Sequence, residues 1–173
     1  MLKILLLSDT HSHIDDKILK YVNMADEVWH AGDIGDLKVT DEIKKIKPLR
    51  AVYGNIDNND ARSEFPLNNR FFCENVAVFI THIGGYPTKY NQVVREELML
   101  NPPQLFICGQ SHILKVQYDK SFNLLHMNPG ACGISGFHQI RTMLRFEIDD
   151  DKIKNLEIIE LGLRAASGRS DLL

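Results

Sequence analysis

Five short apolar runs, Ile4–Leu7, Glu27–His30, Leu49–Tyr53, Val76–Thr81 and Leu105–Cys108, constrain this chain more than any other feature. Their length and their leucine, β-branched and aromatic content favour buried strands over helices. Between them lie segments with helical spacing. Asp16–Asn23 places Ile18, Leu19 and Val22 on one side, and Leu37–Ile46 gathers Leu37, Ile43 and Ile46, with Asp36 available as an N-cap. Gln92–Leu100 is a third helix, stopped by Asn101-Pro102-Pro103. Strand alternating with helix predicts an α/β architecture with a largely parallel first sheet.

The second half changes character. Lys115–Tyr118, Asn123–Met127, Thr142–Ile148 and Ile153–Leu161 are strand-like and separated by short turns such as Asp119-Lys120-Ser121 and Asp149-Asp150-Asp151. That pattern predicts antiparallel hairpins forming a second sheet. Two sheets in so short a chain are expected to pack face to face with helices outside. No linker or internal repeat divides residues 1–161, so one domain is expected there, and residues 162–173 lack apolar periodicity and read as a loosely ordered tail.

Bulk properties set limits on function. The 173 residues suffice for one well-buried core. A formal net charge of −3 leaves no basic footprint for a protein that binds nucleic acid by neutralising phosphates, so nucleic acid is expected only as a substrate. Cys73, Cys108 and Cys132 form no CxxC pair, which argues against a disulfide framework or a thiolate zinc site and favours a reducing compartment. The opening apolar run, Leu2 to Leu7 with Lys3 inside it, is too short for a membrane span or an ordinary signal sequence, so the expected location is the cytoplasm. A homo-oligomer is compatible with all of this.

The residues just past each strand of the first half bear on function. The first strand leads into Ser8-Asp9-Thr10-His11, the second into Ala31-Gly32-Asp33, the third into Gly54-Asn55-Ile56-Asp57. The fourth ends at His82, and the fifth runs into Gly109-Gln110-Ser111-His112. Ligands of open α/β sheets bind outside the carboxyl ends of the strands. Five successive ends therefore offer oxygen or imidazole donors to one rim. If these segments are extended, Asp9 and His11 point the same way, as do Gln110 and His112. Carboxylate, amide and imidazole donors without thiolate suit manganese, iron, nickel, cobalt or zinc better than calcium. Seven donors exceed one tetrahedral site and fit a pair of ions sharing a carboxylate.

In this order, Ser8-Asp9-Thr10-His11, His30-Ala31-Gly32-Asp33, Gly54-Asn55, Thr81-His82 and Gly109-Gln110-Ser111-His112 resemble the motif set of calcineurin-like metallophosphoesterases. Asn128-Pro129-Gly130 further resembles the small prokaryotic phosphodiesterase branch of that family. The resemblance spans residues 1–161 and implies a four-layer α/β/β/α sandwich of two mixed sheets flanked by helices. It implies two divalent metal ions and hydrolysis of a phosphodiester by a hydroxide between them. Asp9, His11 and His112 would hold the first ion, Asp33 would bridge, and Asn55 and His82 would hold the second; Asp33, Asn55 and His82 would carry the catalytic roles. Where the family has the first histidine of Gly-His-x-His, this chain has Gln110, a neutral and weaker donor, so the second ion is expected to bind weakly. Many phosphomonoesterases and protein phosphatases of the family carry a histidine directly after Gly-Asn; Ile56 stands there and transfers no proton, which favours diesters with good leaving groups over protein phosphatase work.

Other residues carry blander readings. His13 is read as a loop histidine, His126 and His138 as structural, with His138 the more open to substrate, and Cys108 as a small buried hydrophobe. His30 is balanced between a core histidine and a partner that orients a ligand, and Asp57 is read as supporting the site. Two rival functions remain: a one-metal hydrolase, and a protein-binding scaffold like the retromer subunit that shares the resembled fold with a degraded metal site.

Overall fold

The computed structural model describes residues 1–165. Its elements run β1 (Leu2–Leu7), α1 (Asp16–Met24), β2 (Glu27–His30), α2 (Lys38–Lys44), β3 (Leu49–Ala51), α3 (Asn59–Glu64), β4 (Asn68–Cys73), β5 (Val76–Thr81), α4 (Gln92–Leu100), β6 (Leu105–Ile107), β7 (Leu114–Asp119), β8 (Leu124–Pro129), β9 (Ile140–Asp149) and β10 (Lys152–Leu163). They form two five-stranded mixed sheets, ordered β10-β9-β1-β2-β3 and β4-β5-β6-β8-β7.

Strand β1 shows why the layers stack as they do. Its side chains alternate between faces, and both faces are apolar. Ile4 and Leu6 enter a core between the two sheets with Trp29, Val78, Ile80, Ile107, Met127 and Phe146. Leu5 and Leu7 face the other way, onto Ile18 and Val22 of α1 and Val39 and Ile43 of α2. On the far side, Phe79, Phe106 and Leu124 of the second sheet pack on Val94 and Leu98 of α4. The four-layer α/β/β/α sandwich results from these three cores. No helix among the described residues is long and apolar enough to cross a membrane.

Local signals at the helix ends mostly do what they should. The side chains of Asp15 and Asn91 accept the backbone N–H of Ile18 and Val94, capping α1 and α4. Helix α2 is shorter than the apolar spacing suggests. Asp36 accepts the Lys38 N–H at 2.8 Å, although Leu37 occupies the cap position.

Three expectations need correction. The second-half strands do not make a sheet of their own. The β9–β10 hairpin adds to the first sheet by antiparallel pairing of β9 with β1, and the β7–β8 hairpin joins β6 through β8. The polar, half-exposed strand β4 and the six-residue helix α3 escaped the apolar pattern altogether. Gly162 and Leu163, assigned to the tail, pair with Arg141 and Ile140 as the end of β10; the rest of that tail from position 166 lies outside the described residues.

Strands β1, β2 and β3 run parallel in one sheet, as do β5, β6 and β8 in the other. The loops that leave their carboxyl ends meet along a single rim.

Candidate metal centre

The loops at that rim are sewn together by their own backbones. Asp9 N–H donates to Gly32 O at 3.0 Å, His11 N–H to Asp33 O at 3.1 Å, Gly109 N–H to His82 O at 3.0 Å, and Gly133 N–H to Asp9 O at 3.3 Å. These bonds hold an unusual backbone. Asp9, His11, Asp33, Gln110 and His112 have φ of 55°, 45°, 56°, 71° and 60°. A non-glycine residue in this left-handed region costs roughly 1–2 kcal/mol, and such residues cluster at functional sites. The alternation expected for Asp9/His11 and Gln110/His112 is therefore corrected: these segments are not extended. Asp9 and His11 converge because tight left-handed turns aim them inward.

The donors meet closely. His82 Nε2 lies 3.2 Å from Asp33 Oδ2 and 3.9 Å from Asp9 Oδ1. His11 Nε2 lies 3.5 Å from Asp33 Oδ2 and 3.7 Å from Asp9 Oδ1, and His112 Nε2 lies 3.2 Å from Asp9 Oδ1. Two donor groups result, Asp9/His11/His112 and Asp9/Asp33/His82. Asp9 belongs to both, while Asp33 Oδ2 sits between His11 and His82; either carboxylate is placed to be shared. Asn55 stands exposed at the rim, where it borders the clefts on both sides. Gln110 is also exposed, and its backbone N–H donates to Asp9 Oδ2 at 3.3 Å.

Whether these residues suit a metal is decided by the atoms left unpaired. Asp9 Oδ1, His11 Nε2 and His82 Nε2 are buried and make no hydrogen bond. A buried polar atom without a partner costs about 1–3 kcal/mol. Here three of them face one another. With metal–ligand bonds of 2.0–2.2 Å, two ligands of one ion stand roughly 3.0–3.6 Å apart, close to the spacings seen. His82 Nδ1–H donates to Ala31 O at 2.7 Å, which leaves the Nε2 lone pair facing the carboxylates. The residues fit a divalent cation.

Without one, protons take its place. Burial pushes Asp9 and Asp33 upward, but the neighbouring histidines outweigh it and hold both carboxyls well below their usual range. His11 is raised to about 9, first by Asp33 and then by Asp9. Burial lowers His82, but Asp33 and Asp9 more than reverse that, so it too is raised.

Around the donors lies a second ring of bonds. Asp57 is buried and accepts three backbone N–H groups: Gly54 at 2.7 Å and Ile34 at 3.1 Å on Oδ2, and Gly35 at 2.8 Å on Oδ1. It ties the Asp33 loop to the Asn55 loop. A methyl group on Gly54 would collide with Asp33 Oδ1 and the Asp33 backbone, so glycine is what lets these loops touch. Asn128 donates to Gly109 O and Ser111 Oγ, both at 3.1 Å, bracing the loop that carries His112.

His30 turns out to be a core residue. It is fully buried; Gly32 N–H donates to its Nδ1 at 3.1 Å, so its Nε2–H donates to Thr10 Oγ1 at 3.0 Å. Burial pushes it down to about 4 and keeps it neutral. His13 pairs with Asp15 at 2.9 Å, away from the donors. Cys73, Cys108 and Cys132 are free and buried. One contact went unread in the sequence: His138 Nδ1 lies 3.2 Å from His112 Nδ1. Burial lowers the His138 pKa.

Comparison with known proteins bears on the fold and the family. The profile of the calcineurin-like phosphoesterase superfamily domain matches residues 2–151. No curated protein matches the chain. Solved structures of the same fold include an archaeal phosphodiesterase, 23% identical over 92% of this chain and 100% of that chain, with a TM-score of 0.72. A predicted phosphoesterase from Streptococcus pneumoniae is 22% identical over 92% and 89% of the two chains, with a TM-score of 0.68. Vps29 from Chaetomium thermophilum is 14% identical over 93% and 97%, with a TM-score of 0.73. At these identities the likeness establishes the fold. Taken with the profile match over residues 2–151, it leaves a plain conclusion: the chain belongs to the calcineurin-like phosphoesterase superfamily.

Proposed function

We propose that this protein is a metal-dependent phosphodiesterase that hydrolyses small diesters at the rim between its two sheets. The observation that carries the reading is the convergence of three buried, unpaired donor atoms, on Asp9, His11 and His82, beside Asp33 and His112. In this reading Asp9, His11 and His112 would hold one ion, His82 and Asn55 would hold a second, and Asp33 would serve both. When bound, the two ions supply Lewis acidity and make water acidic enough to deprotonate near neutral pH. The protein's own contribution is a fixed cage: the Ala31 carbonyl orients His82, and Asp57 and Asn128 hold the loops in place.

The cleft walls suggest the substrate class. A cleft of about 510 Å³ opens over His11, Asp33 and His112, edged by Ile56, Ile113 and Phe137. These side chains are 46%, 66% and 100% exposed. A second cleft of about 440 Å³ lies beyond Asn55 and His82 and contains Arg62. Among the described residues, Arg62 is the one lysine or arginine bordering either cleft. A long polyanion would find few countercharges there, whereas a small diester with an apolar substituent finds a matching wall. Ile56 offers no proton to a leaving group, which favours esters whose leaving group departs unassisted. Free, buried thiols suit a reducing compartment such as the cytoplasm.

A second reading, a protein-binding scaffold, draws on Gln110 and on the exposed Ile113 and Phe137. Turnover of an aryl phosphodiester and of the matching monoester, with manganese or nickel added, separates the two. The enzyme reading expects the diester to be preferred and expects Gln110→His to raise turnover when metal is limiting. Metal binding without turnover in both proteins supports the scaffold instead, and a stoichiometry near one per chain supports a one-metal hydrolase.

A further inference from the structure

We propose that His138 is a positioning residue: it fixes the ring hydrogen of His112 on Nδ1 and so presents His112 Nε2 to a metal ion. This role rests on the reading of His112 as a ligand, and it is dictated by which atoms can donate. His138 Nε2 lies 2.8 Å from the carbonyl oxygen of Gly133. A carbonyl only accepts, so Nε2 carries the His138 hydrogen, and Nδ1 of the neutral ring is an acceptor. That Nδ1 faces His112 Nδ1 at 3.2 Å. Of two nitrogens in a hydrogen bond one must donate, and here it is His112 Nδ1–H. What remains to His112 is Nε2, which points at Asp9 Oδ1, 3.2 Å away. His138 therefore has no lone pair left for a metal.

The surrounding chain is built to keep this pair in register. The rings meet edge to face, 5.1 Å between centroids and at 73°. A side chain on Gly136, whose φ is 133°, would collide with His112 Nδ1, so glycine leaves room for the bond. At one end of the segment Gly133 N–H is tied to Asp9 O. At the other, Arg164 Nε–H donates to His138 O at 2.7 Å. His138 is thus anchored to the same loop that supplies Asp9 and His11. A partner that fixes the tautomer of a ligating histidine typically contributes roughly 10- to 100-fold in metal affinity.

The test compares wild type with His138→Phe, which fills the space without an acceptor, and His138→Gln. The glutamine retains a carbonyl oxygen for His112 and an amide N–H for Gly133. Cobalt titration followed by visible absorption reports affinity at each site, and ¹⁵N spectra of the ring nitrogens report the His112 tautomer before and after zinc. The expected result is about a 10- to 100-fold loss at one site in His138→Phe, the other site being unchanged, with most of the loss recovered in His138→Gln. In zinc-loaded wild type, His112 should be protonated on Nδ1. Wild-type cobalt affinity in His138→Phe, or a His112 hydrogen on Nε2 in the zinc-loaded protein, overturns the proposal. Should the phenylalanine variant fail to fold, failure of the folded glutamine variant to keep affinity within severalfold of wild type overturns it equally. If zinc leaves the wild-type His112 resonances unmoved, the ligand reading itself falls, and the proposal with it.

Discussion

Replacing Asp57 by asparagine removes one charge and changes one atom, yet it should loosen both loops that carry Asp33 and Asn55. The carboxylate now accepts from Ile34, Gly35 and Gly54, at 3.1, 2.8 and 2.7 Å. With the amide oxygen placed on the side of Gly54 and Ile34, the amide NH₂ meets the Gly35 N–H, donor against donor. Two bonds fall from the charged class, about 1.5–3 kcal/mol each, to the neutral class of about 0.5–1.5, and the third is lost. Allowing for relaxation of the loops, the net cost is about 3 kcal/mol, or a Tm lower by roughly 6–12 °C for a chain of this size. Urea unfolding of metal-free Asp57→Asn should show that loss in midpoint with an unchanged slope. Asp60→Asn, exposed on α3 nearby, should stay within about 0.5 kcal/mol of wild type. Metal affinity should fall as well, because Asp33 and Asn55 lose their fixed spacing. A cost below about 1 kcal/mol with metal affinity lost would refute the reasoning, since Asp57 would then act as a ligand and not as a brace.

Two further expectations concern pH. His126 is buried against Phe106, and burial pushes its pKa down to about 4. Above pH 6.5 it is neutral folded or unfolded and contributes nothing; between 6.5 and 4 the unfolded chain takes up a proton that the native state refuses. Stability should therefore fall in that window by up to about 3 kcal/mol. His126→Phe should flatten the slope by one proton, and an unchanged slope would contradict this. His11, raised to about 9 by Asp33 and Asp9, is protonated in the metal-free protein at about pH 7.5, so an incoming ion must displace that proton. Affinity should rise about tenfold per pH unit for each proton displaced. Calorimetry in buffers of different ionisation enthalpy should detect the release; a titration without proton release would contradict it.

How much of this was legible in the sequence depends on the range of the interaction. Strand β1 and helix α4 were readable because an apolar run and a proline-stopped segment carry their own instructions. That Asp9, His11, Asp33, His82 and His112 come together was readable for a related reason: the parallel strands fix where their ends must lie. Strand β4 was not, since Asn68–Cys73 has polar residues and an exposed Phe72 where a buried run was sought. Nor was the placement of the β9–β10 hairpin. A hairpin's turn sets its own register, but says nothing about which distant strand it will join, here β1. The left-handed backbone at Asp9, His11 and Asp33 was hidden because glycine is the usual signal for that conformation. His138 was hidden too, as its bond to His112 depends on a loop closing across 26 positions.

The most direct test is anomalous diffraction at the manganese edge from crystals soaked in that ion. Two peaks about 3.5–4 Å apart are expected beside Asp9 and Asp33, one against His11 and His112 and the other, of lower occupancy, against His82. An absence of density between these side chains at saturating manganese, or peaks elsewhere on the molecule, would contradict the assignment of this rim as a metal centre.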